Sequence, residues 1–186
     1  MLYMLKIIDL LLRNVRIEMV KIALLEKETK VLDVCCGTGD QANCYAQKSN
    51  YVWGIDIDTV EKDGNPKIIL ADAQKMPFED EYFDITSICL ALHEKDQELR
   101  ECIIKEMERV TKKSGKIIIA DYIVPPPKNL TSFIIKTIEF LAGKEHFKNF
   151  TDYIERGGLD NIIKKKKKER FIVLNDNIEI SVYLLN

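Results

Sequence analysis

Hydrophobic positions near the start of the chain recur every three or four residues. That spacing predicts a helix over residues 2 to 26 with one apolar face. The face comprises Leu5, Ile8, Leu12, Val15, Met19 and Ile22. Docking of this face on the core is the favoured interpretation, and a helix that lies on a membrane surface or covers a substrate is the alternative.

Short apolar runs rich in β-branched residues follow the first helix and alternate with helical patterns. This alternation predicts βαβ units and a doubly wound, parallel sheet. The predicted strands are residues 30 to 35, 51 to 55, 67 to 70, 83 to 89 and 116 to 121. Helices are predicted over 40 to 48 and 95 to 110, and residues 112 to 115 are expected to form a turn into the fifth strand.

The pattern changes after three consecutive prolines, Pro125 to Pro127. Two helices are predicted, over residues 130 to 142 and 149 to 156. Residues 162 to 173 and 178 to 185 are β-rich and flank Asn175-Asp-Asn177, which predicts an antiparallel hairpin at the sheet edge. Five lysines, 164 to 168, fall in its first strand. The favoured interpretation is that they protect an edge strand from pairing with another chain. A contact with an anion or a membrane is the alternative.

The composition is that of a globular protein without a broad basic surface. The 186 residues are 46% hydrophobic and 31% charged, which excludes disordered, collagen-like and coiled-coil classes. The formal net charge is −2, and setting aside the five consecutive lysines takes it to −7. A general nucleic-acid binder needs a broad basic face, so no nucleic-acid partner is expected.

The cysteines and the N-terminus bear on location. The five cysteines are an odd number without C-x-x-C spacing or a histidine close in sequence, so neither a metal site nor a disulfide framework is expected. The N-terminus lacks a basic region and a small-residue cleavage site. No apolar run reaches the roughly 18 residues that span a bilayer. A cytoplasmic protein without a transmembrane segment is therefore expected.

The first predicted strand ends in a glycine turn, Cys36-Gly-Thr-Gly39. Glycines permit close approach of a ligand, and the next helix offers free N–H groups at its start. Asp56 ends the second strand, where an acid can accept hydrogen bonds from ribose hydroxyls. Asp72 follows the third strand and can accept a hydrogen bond from an adenine amine. Asp40 beside the turn would repel a pyrophosphate. The pattern therefore favours a ligand with adenosine and no phosphates, and disfavours a nicotinamide dehydrogenase.

The ordered set of motifs over residues 28 to 160 resembles the class I S-adenosylmethionine-dependent methyltransferases, in the branch of the ubiquinone and menaquinone C-methyltransferases. The matching segments are Val31-Leu-Asp-Val-Cys-Cys-Gly-Thr-Gly-Asp40, Gly54-Ile-Asp-Ile57, Ala71-Asp-Ala-Gln-Lys-Met-Pro-Phe78, Tyr82-Phe-Asp84, Glu106-Met-Glu-Arg-Val110, Ser114-Gly-Lys116 and Ile119-Ala-Asp121. The resemblance implies a seven-stranded Rossmann-like sheet, mostly parallel, with an N-terminal helical cap. Cys35 stands where the family usually has its first glycine, and Asp40 where it has its third. Cys35 and Cys36 are interpreted as small packing residues, with a redox role as the alternative.

The resemblance also implies how one domain is divided. Residues 1 to 28 would form the helical cap, 29 to 124 the cofactor-binding core, 125 to 160 the acceptor-side helices and 161 to 186 the hairpin. The N-terminal helix is a candidate contact for a homodimer.

The cofactor implied by the resemblance is S-adenosylmethionine, with S-adenosylhomocysteine as the product. By position in the motifs, the implied cofactor-binding residues are Asp33, Cys35, Gly37, Thr38, Gly39, Asp56, Ile57, Asp72, Ala73, Cys89 and Leu90. Asp33 and the glycines would surround the methionine part, Asp56 the ribose, and Ile57, Asp72 and Ala73 the adenine. Cys89 and Leu90 would offer backbone carbonyls to the amino group.

The expected reaction is in-line displacement of a methyl group onto a small-molecule or lipid-like acceptor, for which alignment supplies much of the rate. His93 is the candidate catalytic residue, as a base where the acceptor must lose a proton. Tyr122 and His146 are candidate acceptor-side residues, whereas Glu94 and Asp96 are interpreted as helix caps. The aromatic residues Phe133, Phe140, Phe147, Phe150 and Tyr153 indicate a core, or alternatively an apolar acceptor pocket. A non-catalytic cofactor-binding scaffold is the alternative function.

Overall fold

One seven-stranded sheet forms the centre of the molecule. The computed structural model describes residues 2–163 and 168–185, and the side chains of residues 12–163 and 169–185. The strands are β1 Lys30–Val34, β2 Tyr51–Asp56, β3 Lys67–Leu70, β4 Phe83–Cys89, β5 Thr111–Tyr122, β6 Lys168–Val173 and β7 Ile178–Leu184. Their spatial order is β3-β2-β1-β4-β5-β7-β6. The first five pair in parallel and the last two form an antiparallel hairpin, which confirms the predicted fold.

Helices cover both faces of this sheet. They are α1 Leu2–Ala23, α2 Asp40–Ala46, α3 Gln97–Val110, α4 Leu130–Leu141, α5 Lys144–Glu155 and α6 Leu159–Ile162. Apolar residues of α1 and α2 pack on one face, and those of α3 pack on the other. The strand order reverses between β1 and β4, and the crevice at such a point is where open α/β sheets bind ligands.

The N-terminal helix docks on the core through its second half. Val15 and Met19 are fully buried, and Ala23 is 1% exposed. Leu12 and Ile22 are half-buried, while Leu5 and Ile8 lie where side chains are not described. The favoured interpretation of the apolar stripe is therefore confirmed for this half, and a homodimer contact through α1 stays a prediction. Among the described residues, no helix is long and apolar enough to cross a membrane.

Three predicted boundaries are wrong. Residues 112 to 115 are part of β5, because β5 begins directly after α3 and takes up the extra residues as a register shift against β4. The helix predicted from residue 149 begins at Lys144, after Gly143 in a positive-φ conformation. Residue 162 ends the short helix α6 and does not begin a strand. The predicted strand position of lysines 164 to 167 lies outside the described residues.

Candidate cofactor and acceptor site

The turn after β1 depends on left-handed backbone conformations. Cys35, Gly37 and Gly39 have φ values of 54°, 52° and 84°. A non-glycine residue at such a φ costs about 1–2 kcal/mol, which explains why a glycine usually stands at the position of Cys35. A Cβ atom added to Gly37 would meet nothing within 4 Å, so the turn has open space above its backbone. The turn leads into α2, whose first residue is Asp40.

Asp56 ties the end of β2 to this turn. Its Oδ2 accepts a hydrogen bond from the Gly37 N–H at 2.9 Å, and its Oδ1 accepts one from the Asp58 N–H at 3.0 Å. Each carboxylate oxygen can accept a second bond, so both can still receive a ligand hydroxyl. Next to it, the Ile57 side chain is 68% exposed and offers an apolar platform.

Asp72 and Ala73 lie at the end of the neighbouring strand. The N–H of Ala71 donates to the Asp56 carbonyl at 3.0 Å, which holds the ends of β2 and β3 side by side. The Asp72 carboxylate is exposed and accepts the Gln74 N–H at 2.8 Å. On the other side of β1, Leu90 follows β4 in a left-handed conformation and donates its N–H to Ala120 at 2.8 Å.

Asp33 is a buried acid beneath the glycine turn. The residue is 1% exposed, its Oδ1 accepts from the Ser87 hydroxyl at 3.1 Å, and its Oδ2 has no hydrogen-bond partner among the described residues. Burial raises the pKa of Asp33 to about 7, against the lowering effect of the Ser87 hydrogen bond. A cationic ligand group nearby would favour the ionised carboxylate.

These features fit S-adenosylmethionine, which carries an adenosine, an ammonium group and a sulfonium. The open cradle at Gly37 admits a ligand close to the backbone, and the orphaned Asp33 oxygen suits a positive charge. Asp56 and Asp72 offer acceptors at adjacent strand ends, beside the apolar surface of Ile57. The structure therefore brings the predicted cofactor residues to one edge of the sheet, on β1 and its neighbours.

The thiols beside the turn are protonated at neutral pH. Burial, as the largest effect, raises the pKa of both Cys35 and Cys36 to about 12. A thiol that remains protonated is a poor nucleophile and a poor redox sensor. This favours the interpretation of both residues as packing residues.

Replacing Asp33 by asparagine should stabilise the protein in a pH-dependent way. The acid has a pKa of about 7 when folded and 3.8 as the reference for the unfolded chain. Below about pH 4 both states are protonated, and as the pH rises toward 7 the buried carboxyl costs stability, up to about 4 kcal/mol. Urea unfolding of both proteins across this range should show the variant's advantage growing with pH. A gain in stability that does not change with pH would contradict the raised pKa of Asp33.

His93 lies past β4 and is held by Asp121 at the end of β5. The His93 Nδ1 is 2.8 Å from Asp121 Oδ1, and Asp121 Oδ2 accepts the Leu92 and His93 N–H groups at 3.0 and 3.2 Å. His93 is 4% exposed and Asp121 is fully buried. Burial alone would lower the pKa of His93, but the charge and hydrogen bond of Asp121 raise it above its usual value.

A second acid, Glu139 of α4, lies on the far side of the His93 ring. Its Oε2 is 3.6 Å from His93 Nε2 and in hydrogen-bond contact with His146 Nε2. Its Oε1 accepts the Tyr122 hydroxyl at 2.8 Å. The three candidates His93, Tyr122 and His146 therefore meet around one buried carboxylate, at the end of the sheet where β4 and β5 finish.

A largely apolar cavity of about 770 Å³ opens beside this group. Tyr122, Phe150 and Phe133 line it, together with the proline loop and α4. The His93 ring packs behind Tyr122 at 4.5 Å between centroids and does not itself line the cavity. Phe150 and Tyr153 are buried as core, whereas Phe133 and Phe140 are 70% and 64% exposed. The core interpretation is thus confirmed for Phe150 and Tyr153, and an apolar acceptor pocket stays a prediction.

Sequence reasoning missed two residues that organise this end. Glu139 is the single acid in α4, and an acid in so apolar a helix was an available signal. Arg100 is fully buried on the apolar stripe of α3 and donates to the carbonyls of Leu92 and Asn149 at 2.9 and 2.7 Å. Asp96 caps α3 as predicted, but Glu94 instead pairs with Lys95 and faces His146.

Comparisons with known proteins find similarity in the central part of the chain. Residues 32–119 match the family model described as a methyltransferase domain. The ubiquinone/menaquinone biosynthesis C-methyltransferase UbiE of Neisseria gonorrhoeae is 36% identical over 111 residues, covering 53% of this chain and 44% of the relative. The enzyme of the same name from Cupriavidus taiwanensis is 32% identical over 106 residues, covering 50% and 43%. The match thus covers less than half the length of these relatives.

Solved structures share the fold. A protein from Pyrococcus horikoshii OT3 superposes with a TM-score of 0.62 at 21% identity, covering 92% of this chain and 89% of the other. A SAM-dependent methyltransferase from Aquifex aeolicus gives a TM-score of 0.57 at 15% identity, covering 92% and 89%. The expected resemblance and the Rossmann-like sheet are confirmed, and the findings support S-adenosylmethionine as the cofactor.

Proposed function

Because residues 32–119 match the family model described as a methyltransferase domain, we propose that the chain is a class I S-adenosylmethionine-dependent methyltransferase that methylates a small-molecule or lipid-like acceptor. The observation that carries the proposal is the shared sheet edge: the glycine turn, the strand-end acids and the cavity beside Tyr122 all lie there. S-adenosylhomocysteine is the expected product. The names of the matched relatives support quinol-like acceptors as the first to test.

The chain's own residues divide the work of binding. We assign the turn from Cys35 through Thr38 to Gly39, with Asp33 beneath it, to the methionine part, and Asp56 to the ribose. Ile57, Asp72 and Ala73 are assigned to the adenine, and Cys89 and Leu90 to the amino group. When bound, S-adenosylmethionine supplies an electrophilic methyl group on a sulfonium. The enclosure of this edge by α4 and α5 supports exclusion of water from the acceptor.

The acceptor side is assigned to Tyr122, which reaches the cavity, with His93 and His146 behind it. Because Asp121 holds His93 Nδ1 and Glu139 holds the Tyr122 hydroxyl, His93 acts as a positioning residue for the wall of the cavity. Its Nε2 keeps a lone pair that can hold a proton. His93 remains the candidate for proton transfer only if an acceptor displaces Tyr122 and reaches that atom.

Replacing His93 by glutamine should therefore lower turnover more than cofactor affinity. We expect kcat to fall by at least about tenfold, since a small displacement of the groups that align the acceptor can cost that much or more. The dissociation constant for S-adenosylmethionine should stay within a factor of about two, because the His93 side chain contacts Asp121, Glu139 and Tyr122 rather than the glycine turn. Equal losses in kcat and cofactor affinity would contradict the assignment and indicate a purely structural role.

The proposal is tested by formation of S-adenosylhomocysteine from S-adenosylmethionine with quinols, phenols, amines and thiols. Acceptor-dependent product with one class supports a methyltransferase, and the change of mass of the acceptor identifies the methylated compound. Cofactor binding without product across all classes would contradict the proposal and favour a non-catalytic scaffold. Tyr122→Phe keeps the aromatic ring in the cavity wall and removes the hydroxyl. It should change turnover with the productive acceptor and leave cofactor binding unchanged.

A further inference from the structure

We propose that His93, Glu139 and His146 form a binding site for a divalent transition-metal ion of the zinc type. One ligand atom from each of the three residues lies within 4.8 Å of the others. Two imidazoles and one carboxylate are the donor set of several catalytic zinc sites, which keep the fourth position open. The ligands come from the loop after β4, from α4 and from α5, so sequence spacing gave no sign of the site.

The distances suit a small ion. Ligand atoms at about 2.0–2.1 Å from a tetrahedral zinc lie about 3.3 Å apart, and His93 Nε2 is 3.6 Å from Glu139 Oε2. His146 Nε2 is closer, in direct hydrogen-bond contact with the same oxygen. The His146 side chain is 26% exposed and lies near the start of α5, after Gly143, so this contact can open to admit an ion.

The surroundings orient His93 as metal ligands are usually oriented. A metal-bound imidazole generally donates its other ring N–H to a carboxylate, which fixes the tautomer. Asp121 Oδ1 is 2.8 Å from His93 Nδ1, and this directs the Nε2 lone pair toward Glu139. The Tyr122 hydroxyl holds the second Glu139 oxygen at 2.8 Å. Asp121 and Tyr122 thus hold His93 and Glu139 in place through hydrogen bonds.

The charges also suit a cation. Asp121 and Glu139 are 0% and 4% exposed, and among the described residues their ion-pair partners are the histidines, not a lysine or an arginine. Buried carboxylates are paired or coordinate metals, and a bound ion would supply the positive charge without protonation of the imidazoles. Arg100, which reaches the His93 carbonyl, is committed to Asp152 at 2.8 Å. A cleft of about 530 Å³ lined by Glu94 and His146 gives an ion a path inward.

A bound ion would occupy the Nε2 lone pair of His93, so it would take the place of that residue as a base. This part rests on the proposed function: the ion's open position would accept a hydroxyl or thiol of the acceptor and lower its pKa. The acceptor class would then be one with an ionisable oxygen or sulfur. Binding of the ion itself needs neither acceptor nor cofactor.

Cobalt(II) is the probe that tests the site, using a tag-free chain stripped with a chelator. The chain holds two histidines, so a signal from bound imidazole points to this site. We expect one equivalent of Co²⁺ to bind and to give the visible absorption bands of a cobalt ion with a low coordination number. Added Zn²⁺ should displace the Co²⁺. Glu139→Gln and, as a less buried second variant, His146→Gln should weaken binding at least about tenfold, and Asp121→Asn by about 10- to 100-fold. Glu98→Gln, which changes an exposed acid on α3, should bind as the wild type does.

Absence of such bands in the wild type, or equal Co²⁺ binding in all variants, would overturn the proposal. Thermal melts of the metal-free variants show which of them are folded. If Glu139→Gln is not folded, the Co²⁺ affinity of His146→Gln tests the site. Calorimetry with S-adenosylmethionine on the same samples separates the two proposals. Cofactor binding without metal binding defeats the metal site alone, and metal binding without cofactor binding defeats the proposed function alone.

Discussion

Replacing Arg100 by alanine is expected to destabilise the protein by about 3–4 kcal/mol. The guanidinium is fully buried and donates to the carbonyls of Leu92 and Asn149, besides pairing with Asp152. Its removal takes a charged donor from each of two buried carbonyls, although Leu92 keeps the Lys95 N–H at 3.1 Å. Hydrogen bonds to a charged group contribute about 1.5–3 kcal/mol each. For a chain of this length the melting temperature should fall by roughly 6–16 °C. Differential scanning calorimetry measures the loss.

Arg156→Ala is the matched control for Arg100. Arg156 binds the same Asp152 carboxylate but is 50% exposed, so its loss should cost less than about 1 kcal/mol. Arg100 connects the His93 loop to α5, which carries His146, so Arg100→Ala should also reduce turnover. Equal, small losses of stability in both variants would contradict the role given to Arg100.

Replacing Asp56 by alanine is expected to weaken S-adenosylmethionine binding by roughly 1.5–3 kcal/mol, or about 10- to 150-fold in Kd. The carboxylate is the proposed partner of the ribose hydroxyls. It also accepts the Gly37 N–H at 2.9 Å, so the substitution removes a brace of the glycine turn as well. Isothermal titration calorimetry measures the change in affinity.

Two variants separate these contributions of Asp56. Asp56→Asn keeps an acceptor oxygen and should lose less affinity than Asp56→Ala. Asp58→Asn removes an exposed charge two residues away and should bind the cofactor as the wild type does. Unchanged affinity in Asp56→Ala would contradict the assignment of the ribose site.

The sheet and the cofactor edge were predictable because local sequence encodes them. The central strands β1 and β4 are short apolar runs buried on both faces, and Asp33, Asp56 and Asp72 occupy fixed places at strand ends. Parallel strands bring those ends together, so spacing along the chain was enough to place the acids on one edge. The bulge at residues 112 to 115 was mistaken for a turn, because glycine and lysines are typical of both structures.

The acceptor side was less predictable because it depends on contacts between distant segments. His93 and His146 were found as the two histidines of the chain, but their meeting at Glu139 depends on how α4 packs against α5. Arg100 was missed because the charge pattern of α3 made it an ordinary surface residue. Its signal was its place on the stripe of Ile103, Met107 and Val110, which identifies a cation turned toward the core.

Titration of the wild-type protein with S-adenosylmethionine, S-adenosylhomocysteine and NADH tests the central claim most directly. The carboxylates of Asp56 and Asp72 at adjacent strand ends, with Asp40 beside the turn, predict micromolar binding of the first two ligands and none of NADH. Well-folded protein that binds neither methionine-derived ligand, or that binds NADH, would contradict the account.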